Sequence, residues 1–93
     1  MSEKLIQKIK VKNSLGLHIR PAAAIVKILQ KSQSSVHFTY KKQTVNAKSI
    51  MSILMLIARK NSLITITIEG KDAKKTMAKL VDAFETRFGE EDG

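Results

Sequence analysis

The segment Leu63–Glu69, which reads LITITIE, decides what kind of fold this chain can form. Ile64, Ile66 and Ile68 fall on one side of it, and the residues between them fall on the other. Strict alternation over this length predicts a β-strand with one buried face. Such a strand belongs in a sheet that is covered on one side and open to water on the other.

Outward from this segment, the same alternation predicts three further strands. They lie over roughly Glu3–Val11, over Val36–Tyr40 and over a short Gln43–Val45. Lys41-Lys42 separates the last two and is placed as the tip of a hairpin. The histidine of the Val36–Tyr40 strand, His37, lies opposite the apolar side chains and is expected to face solvent.

Three helices are predicted around these strands. Pro21 fits the first turn of a helix, where its missing N–H costs nothing. Ser49 can cap a short helix over Ile50–Ile57, and Asp72 can cap a last helix that Gly89 would end. Apolar residues recur at helical spacing at Ala22, Ile25, Val26 and Leu29, and again at Ala73, Met77, Leu80, Val81, Phe84 and Phe88.

The resulting order is β-α-β-β-α-β-α. It predicts an α+β fold, an open-faced β-sandwich in which three helices cover one face of a four-stranded antiparallel sheet. A length of 93 residues predicts one domain over residues 1–93.

Positive charge is concentrated in the first two thirds of the chain. The net charge is +9, and the stretch from Lys4 to Ile68 holds twelve basic residues and no acidic one. Such a block either keeps the surface solvated or meets an acidic partner, which would be nucleic acid, an anionic membrane, an acidic protein or phosphate.

Composition excludes several classes. The chain has no cysteine, so disulfides and thiolate chemistry are absent and a cytoplasmic location is expected. The longest apolar run, Ile53–Ala58, is far shorter than the ~20 residues that span a bilayer, and no apolar signal-peptide core follows Met1–Lys4. Two histidines on separate elements do not make a metal site, and no cofactor is expected.

His18 is the residue best placed for chemistry. It precedes Pro21 by three positions and so lies at the start of a helix, where unpaired N–H groups attract anions. Arg20 adds a guanidinium nearby. A neutral imidazole can attack a phosphoryl group, and these donors would stabilise the charge on the product.

Two heptapeptides carry a family resemblance. Gly16-Leu17-His18-Ile19-Arg20-Pro21-Ala22 resembles the active-site signature of the HPr family, the histidine-containing phosphocarriers of the bacterial phosphotransferase system. Val45-Asn46-Ala47-Lys48-Ser49-Ile50-Met51 is similar to the family's second signature, around a regulatory serine. The offset of 28 residues between the two also fits the family.

The resemblance implies a stoichiometric carrier rather than an enzyme. His18 would accept the phosphoryl group on Nδ1 from enzyme I, charged by phosphoenolpyruvate, and pass it to EIIA domains. Arg20 would balance the charge, Pro21 would start the helix and Gly16 would let the backbone approach the site. Ser49 would be the target of an HPr kinase/phosphorylase, although a serine there also serves simply as an N-cap. The carrier is expected to be a monomer.

The resemblance also implies a docking patch. The helix after Ser49 is apolar nearly all round, with Ser52 and Ile57 where the family usually has glycine. It is either exposed in part for a partner or fully buried. The residues expected to dock partners are Ile19, Ala23, Ile50, Met51 and Leu54.

Two other functions stay open. One is a basic nucleic-acid-binding module, which the charge favours and the scarcity of aromatic residues disfavours. The other is a regulatory member of the same family that serves a nitrogen-type branch instead of sugar uptake. The leading interpretation has no nucleic-acid partner and no insertion into a membrane.

Overall fold

The computed structural model describes residues 2–90 and contains the predicted order of elements. The strands are β1 (Glu3–Lys10), β2 (Ser35–Tyr40), β3 (Gln43–Asn46) and β4 (Leu63–Gly70), and the helices are α1 (Ile19–Leu29), α2 (Ile50–Met55) and α3 (Ala73–Glu85). The strands form one antiparallel sheet in the order β1-β4-β2-β3. The predicted fold class is confirmed.

The segment LITITIE forms β4, which has a strand on either side. Ile64, Ile66 and Ile68 are fully buried, and Ile66 lies opposite Phe38 of β2. The Phe38 ring in turn meets the Phe84 ring of α3 edge-on, with 6.0 Å between centroids. The isoleucine side of β4 is therefore the inner face of the sheet, against which the helices pack.

The other face of the sheet is open. Lys8, Lys10 and His37 are exposed there, and Thr65 and Thr67 are half-buried. The expectation that His37 points to solvent is confirmed. The hairpin tip at Lys41-Lys42 is confirmed as well, since both residues have positive φ (49° and 66°), as the tight turns of two-residue hairpins require.

The carboxylate of Asp72 does not cap α3 as predicted. Asp72 occupies the N-cap position, but its side chain forms no cap hydrogen bond. It accepts instead from the hydroxyl of Ser32 at 3.1 Å, from the N–H of Gln33 at 3.0 Å and from the hydroxyl of Ser34. The Ser34 hydroxyl and then the Gln33 N–H lower the pKa of Asp72 to about 2. The carboxylate thus fastens the α1–β2 connection to the start of α3.

The prediction that Gly89 ends the last helix was also wrong. Helix α3 ends at Glu85, and Arg87–Gly89 forms a separate turn in which Arg87, Phe88 and Gly89 all have positive φ. This reversal packs the Phe88 ring on the Phe84 ring, with centroids 4.9 Å apart. It also carries the chain back to Glu90, beside the start of α1.

Candidate functional site

His18 is the N-cap residue of α1. Its backbone is extended, and its carbonyl accepts the first helical hydrogen bond, from the N–H of Ala22 at 3.0 Å. The side chain takes no part in capping. The imidazole is thereby held at the positive end of the helix and remains available to other groups.

The carboxylate of Glu90 holds one side of the His18 ring. Nε2 of His18 lies 3.0 Å from Oε2 and 3.2 Å from Oε1 of Glu90. A carboxylate only accepts hydrogen bonds, so this contact requires a proton on Nε2. In the neutral ring the lone pair then lies on Nδ1, which becomes the nucleophilic nitrogen.

Asn13 connects this carboxylate to the loop before the helix. Its amide nitrogen donates to Oε1 of Glu90 at 3.0 Å and also to the carbonyl of Gly16. The backbone carbonyl of Asn13 accepts from the N–H of Gly16 at 3.1 Å. Asn13 is buried, so its hydrogen bonds are shielded from water and help to position Glu90 against the ring of His18.

Gly16 allows the loop to lie against the segment after α2. Its φ is +68°, and a Cβ added there would lie 2.3 Å from the carbonyl oxygen of Ala58. The next residue, Leu17, donates its N–H to that same oxygen at 2.9 Å. The backbone approach expected of Gly16 is therefore an approach to Ala58 and Arg59.

Arg20 is exposed in the first turn of α1, two residues after His18. Within residues 2–90 its guanidinium forms no ion pair or hydrogen bond. Pro21 is buried in the same turn, although the helix begins two residues earlier, at Ile19. The free N–H groups at this helix start and the guanidinium of Arg20 are the donors available to an anion next to His18.

Apolar side chains surround the imidazole on the solvent side. A depression of about 310 Å³ at His18 is lined by Leu15, Leu54, Ile57 and Arg59, among others. Of the helix α2 residues only Ile53 is fully buried, so the alternative of a wholly buried helix is wrong. The predicted patch residues are distributed as follows: Ile19, Ala23, Ile50 and Met51 are exposed and Leu54 is half-buried.

Ser49 is the N-cap of α2, as expected. Its hydroxyl accepts from the N–H of Ser52 at 3.2 Å. It belongs to a different helix from His18 and directly precedes the exposed residues Ile50 and Met51.

Sequence reasoning missed Glu90, Asn13 and Arg59. Glu90 is 72 positions from His18, and no local pattern relates the two. Asn13 lies in the loop between β1 and α1, where no local pattern marks it. Within residues 2–90, no group of three or more His, Cys, Asp or Glu side chains is arranged to hold a metal ion. No helix in this part of the chain is long and apolar enough to cross a membrane.

Comparisons with known proteins lead to one family. The family model described as "PTS HPr component phosphorylation site" matches residues 5–86. Phosphocarrier protein HPr of Chlamydia pneumoniae is 50% identical over 80 residues, which cover 86% of this chain and 74% of that protein. Phosphocarrier protein HPr of Xylella fastidiosa (strain Temecula1) is 39% identical over 87 residues, or 94% and 98% of the two chains.

Solved structures show the same fold. HPr-C-His from Thermoanaerobacter tengcongensis superposes with a TM-score of 0.90 at 38% identity, over 94% of this chain and 98% of that one. A phosphocarrier protein HPr from Bacillus anthracis superposes with a TM-score of 0.83 at 34% identity, over 87% and 96%.

Proposed function

The chain belongs to the HPr family of phosphocarrier proteins, which carry phosphoryl groups and are not enzymes, and we propose that His18 is its phosphoryl acceptor. The group comes from enzyme I of the phosphotransferase system, charged by phosphoenolpyruvate, and goes to EIIA domains. The observation that carries the proposal is the contact of Nε2 with Glu90, which leaves the lone pair on Nδ1 at the positive end of α1.

The exchange is a displacement at phosphorus. The Nδ1 lone pair of His18 forms a bond to phosphorus while the bond from phosphorus to the donor breaks. The product carries about two negative charges, which the N–H groups at the start of α1 and the guanidinium of Arg20 stabilise. Glu90 accepts a hydrogen bond from the Nε2–H, which stays on the ring, and stabilises the positive charge that the ring acquires. Transfer to an EIIA domain reverses these steps.

Partner docking uses apolar side chains of α1 and α2 next to the depression at His18, to whose lining Leu54 belongs. Ile19 is 67% exposed and Met51 is 70% exposed, and groups of exposed large apolar side chains mark protein contacts. Arg20 and Arg59 add positive charge at the same place, which favours acidic partner surfaces. We assign the docking patch to Ile19, Ala23, Ile50, Met51 and Leu54.

Ser49 is proposed as a regulatory site for an HPr kinase/phosphorylase. A phosphate on its hydroxyl would meet the N-terminus of α2, which tolerates negative charge. It would also place about two negative charges beside Ile50 and Met51 and so oppose docking of an acidic partner. Incubation with the kinase and ATP should phosphorylate the wild type and leave Ser49→Ala unmodified, and equal labelling of the two would remove Ser49 from the proposal.

The main test is labelling by enzyme I and phosphoenolpyruvate. Wild type and His37→Ala should each gain one acid-labile phosphate, because His37 lies on the open face of the sheet. His18→Ala should gain none. Uptake of that phosphate by His18→Ala would refute the assignment.

A further inference from the structure

A groove between α1 and α3 carries positive charge that the His18 site does not use. Two adjoining depressions, of about 530 and 340 Å³, lie along it and share Ile28, Lys31 and Lys79. Four lysines line the groove, Lys27 and Lys31 from the α1 side and Lys75 and Lys79 from α3, against one lining carboxylate on the α3 side besides Asp72, that of Asp82.

These four lysines have no partner within the described part of the chain. Among residues 2–90, none of them forms an ion pair or a hydrogen bond. Two lysines elsewhere are paired, since Lys12 contacts Glu85 and Lys74 lies 3.7 Å from Glu3. On α3, Lys75 and Lys79 are four positions apart, a spacing at which like charges repel, and Lys31 follows Lys27 by four positions, two residues beyond the end of α1.

The start of α3 adds to this unbalanced charge. Its first turn contains Lys75 and no acidic residue, although the N-terminus of a helix favours negative charge. At the same end, Lys48 Nζ donates to the carbonyl of Ser32 at 3.0 Å and brings a fifth ammonium group. The nearby carboxylate of Asp72 already accepts three hydrogen bonds from the α1–β2 connection.

The floor of the groove indicates what kind of anion fits. Ala24, Ile28, Ala83 and Phe88 make it apolar, which does not suit a bare phosphate chain. Phe88 packs edge-on against Phe84, so no series of free aromatic faces is offered to nucleic-acid bases. An apolar floor between basic sides is complementary to apolar side chains flanked by carboxylates.

We propose that this groove binds an acidic amphipathic segment of a partner protein. Its apolar side chains lie on the floor, and its carboxylates pair with the four lysines. Lys31 follows the end of α1 while His18 precedes its start, and the 11 residues between the helix bounds span about 16 Å. The site is therefore separate from the phosphoryl acceptor and does not depend on its function.

The probe is a fluorescent synthetic peptide of about sixteen residues, with leucines at helical spacing and glutamates at most other positions. Its affinity is measured by fluorescence anisotropy. The variant Lys31→Glu/Lys79→Glu should bind about tenfold more weakly than wild type. The matched control is Lys8→Glu/Lys10→Glu on the open sheet face, which changes the net charge equally and should lose less than about twofold.

Three results would overturn the proposal. Equal weakening by both variants would mean that the peptide senses net charge alone. Amide shifts from bound peptide that lie outside the groove, in the ¹H–¹⁵N spectrum of the full chain, would place the contact elsewhere. Stronger groove shifts with inorganic polyphosphate or an oligothymidylate than with the peptide would assign the groove to a different class of ligand. Full affinity in His18→Ala is expected, and matching ¹H–¹⁵N spectra of the free variants establish that they are folded.

Discussion

Replacement of Gly16 by alanine should destabilise the fold by about 2 kcal/mol. An L-residue at the φ of +68° costs ~1–2 kcal/mol in backbone strain. The new Cβ would lie 2.3 Å from the carbonyl oxygen of Ala58 and 2.8 Å from Cα of Arg59, so the two segments must separate. That movement breaks the 2.9 Å hydrogen bond from Leu17 to Ala58, worth ~1 kcal/mol. Alanine also reduces the conformational freedom of the unfolded chain, which offsets this destabilisation by ~0.4–1 kcal/mol.

Gly89→Ala is the matched control for this substitution. Gly89 also has a positive φ, of +77°, but a Cβ added there meets no atom within 4 Å. Only the strain should remain, a loss of about 0.5–1 kcal/mol. Urea denaturation measures both free energies of unfolding, and the midpoint of thermal unfolding of Gly16→Ala should fall by ~8–16 °C. Equal losses in the two variants, or a Gly16→Ala protein as stable as wild type, would refute the steric argument.

Three further predictions concern single side chains. The fold lowers the pKa of Asp72 to about 2, so the stability that its carboxylate contributes is complete above about pH 4 and is lost as the pH falls towards 2. The free energies of unfolding of wild type and Asp72→Asn should therefore converge over that range, and a constant difference between them would contradict this. The hydrogen bond from Ser62 is the main cause that lowers the pKa of Tyr40, which is the only tyrosine of the chain. Ser62→Ala should therefore raise the pKa of Tyr40 towards 10.0 in an absorbance titration, and an unchanged or lower pKa would reject that cause. Glu90→Gln replaces a charged hydrogen bond to the ring of His18 by a neutral one, which weakens it by ~1 kcal/mol. Phosphorylation by enzyme I should therefore be about fivefold slower, and an unchanged rate would leave Glu90 without a role in the transfer.

The sheet and the order of elements were predictable because the alternation in each strand is local. LITITIE contains its own evidence for a buried and an open face, and so does the hairpin around Lys41-Lys42. The helix start at His18 and the cap at Ser49 were predictable for the same reason. Each depends on residues within one turn of the helix that it begins.

The errors arose where distant residues compete for a side chain. Asp72 was expected to cap its own helix, but the hydroxyls of Ser32 and Ser34 come from about forty positions away and take its carboxylate. Glu90 meets His18 only because the turn at Arg87–Gly89 reverses the chain after α3. Contacts of this kind depend on the whole fold and leave no local pattern in the sequence.

The most direct test of the account is the position of the phosphate on the ring of His18. After phosphorylation by enzyme I and phosphoenolpyruvate, ¹⁵N NMR of the imidazole distinguishes the two ring nitrogens. Because Glu90 holds Nε2, the phosphate should be found on Nδ1 of His18, one per chain. A phosphate on Nε2, or on another residue, would contradict the central claim.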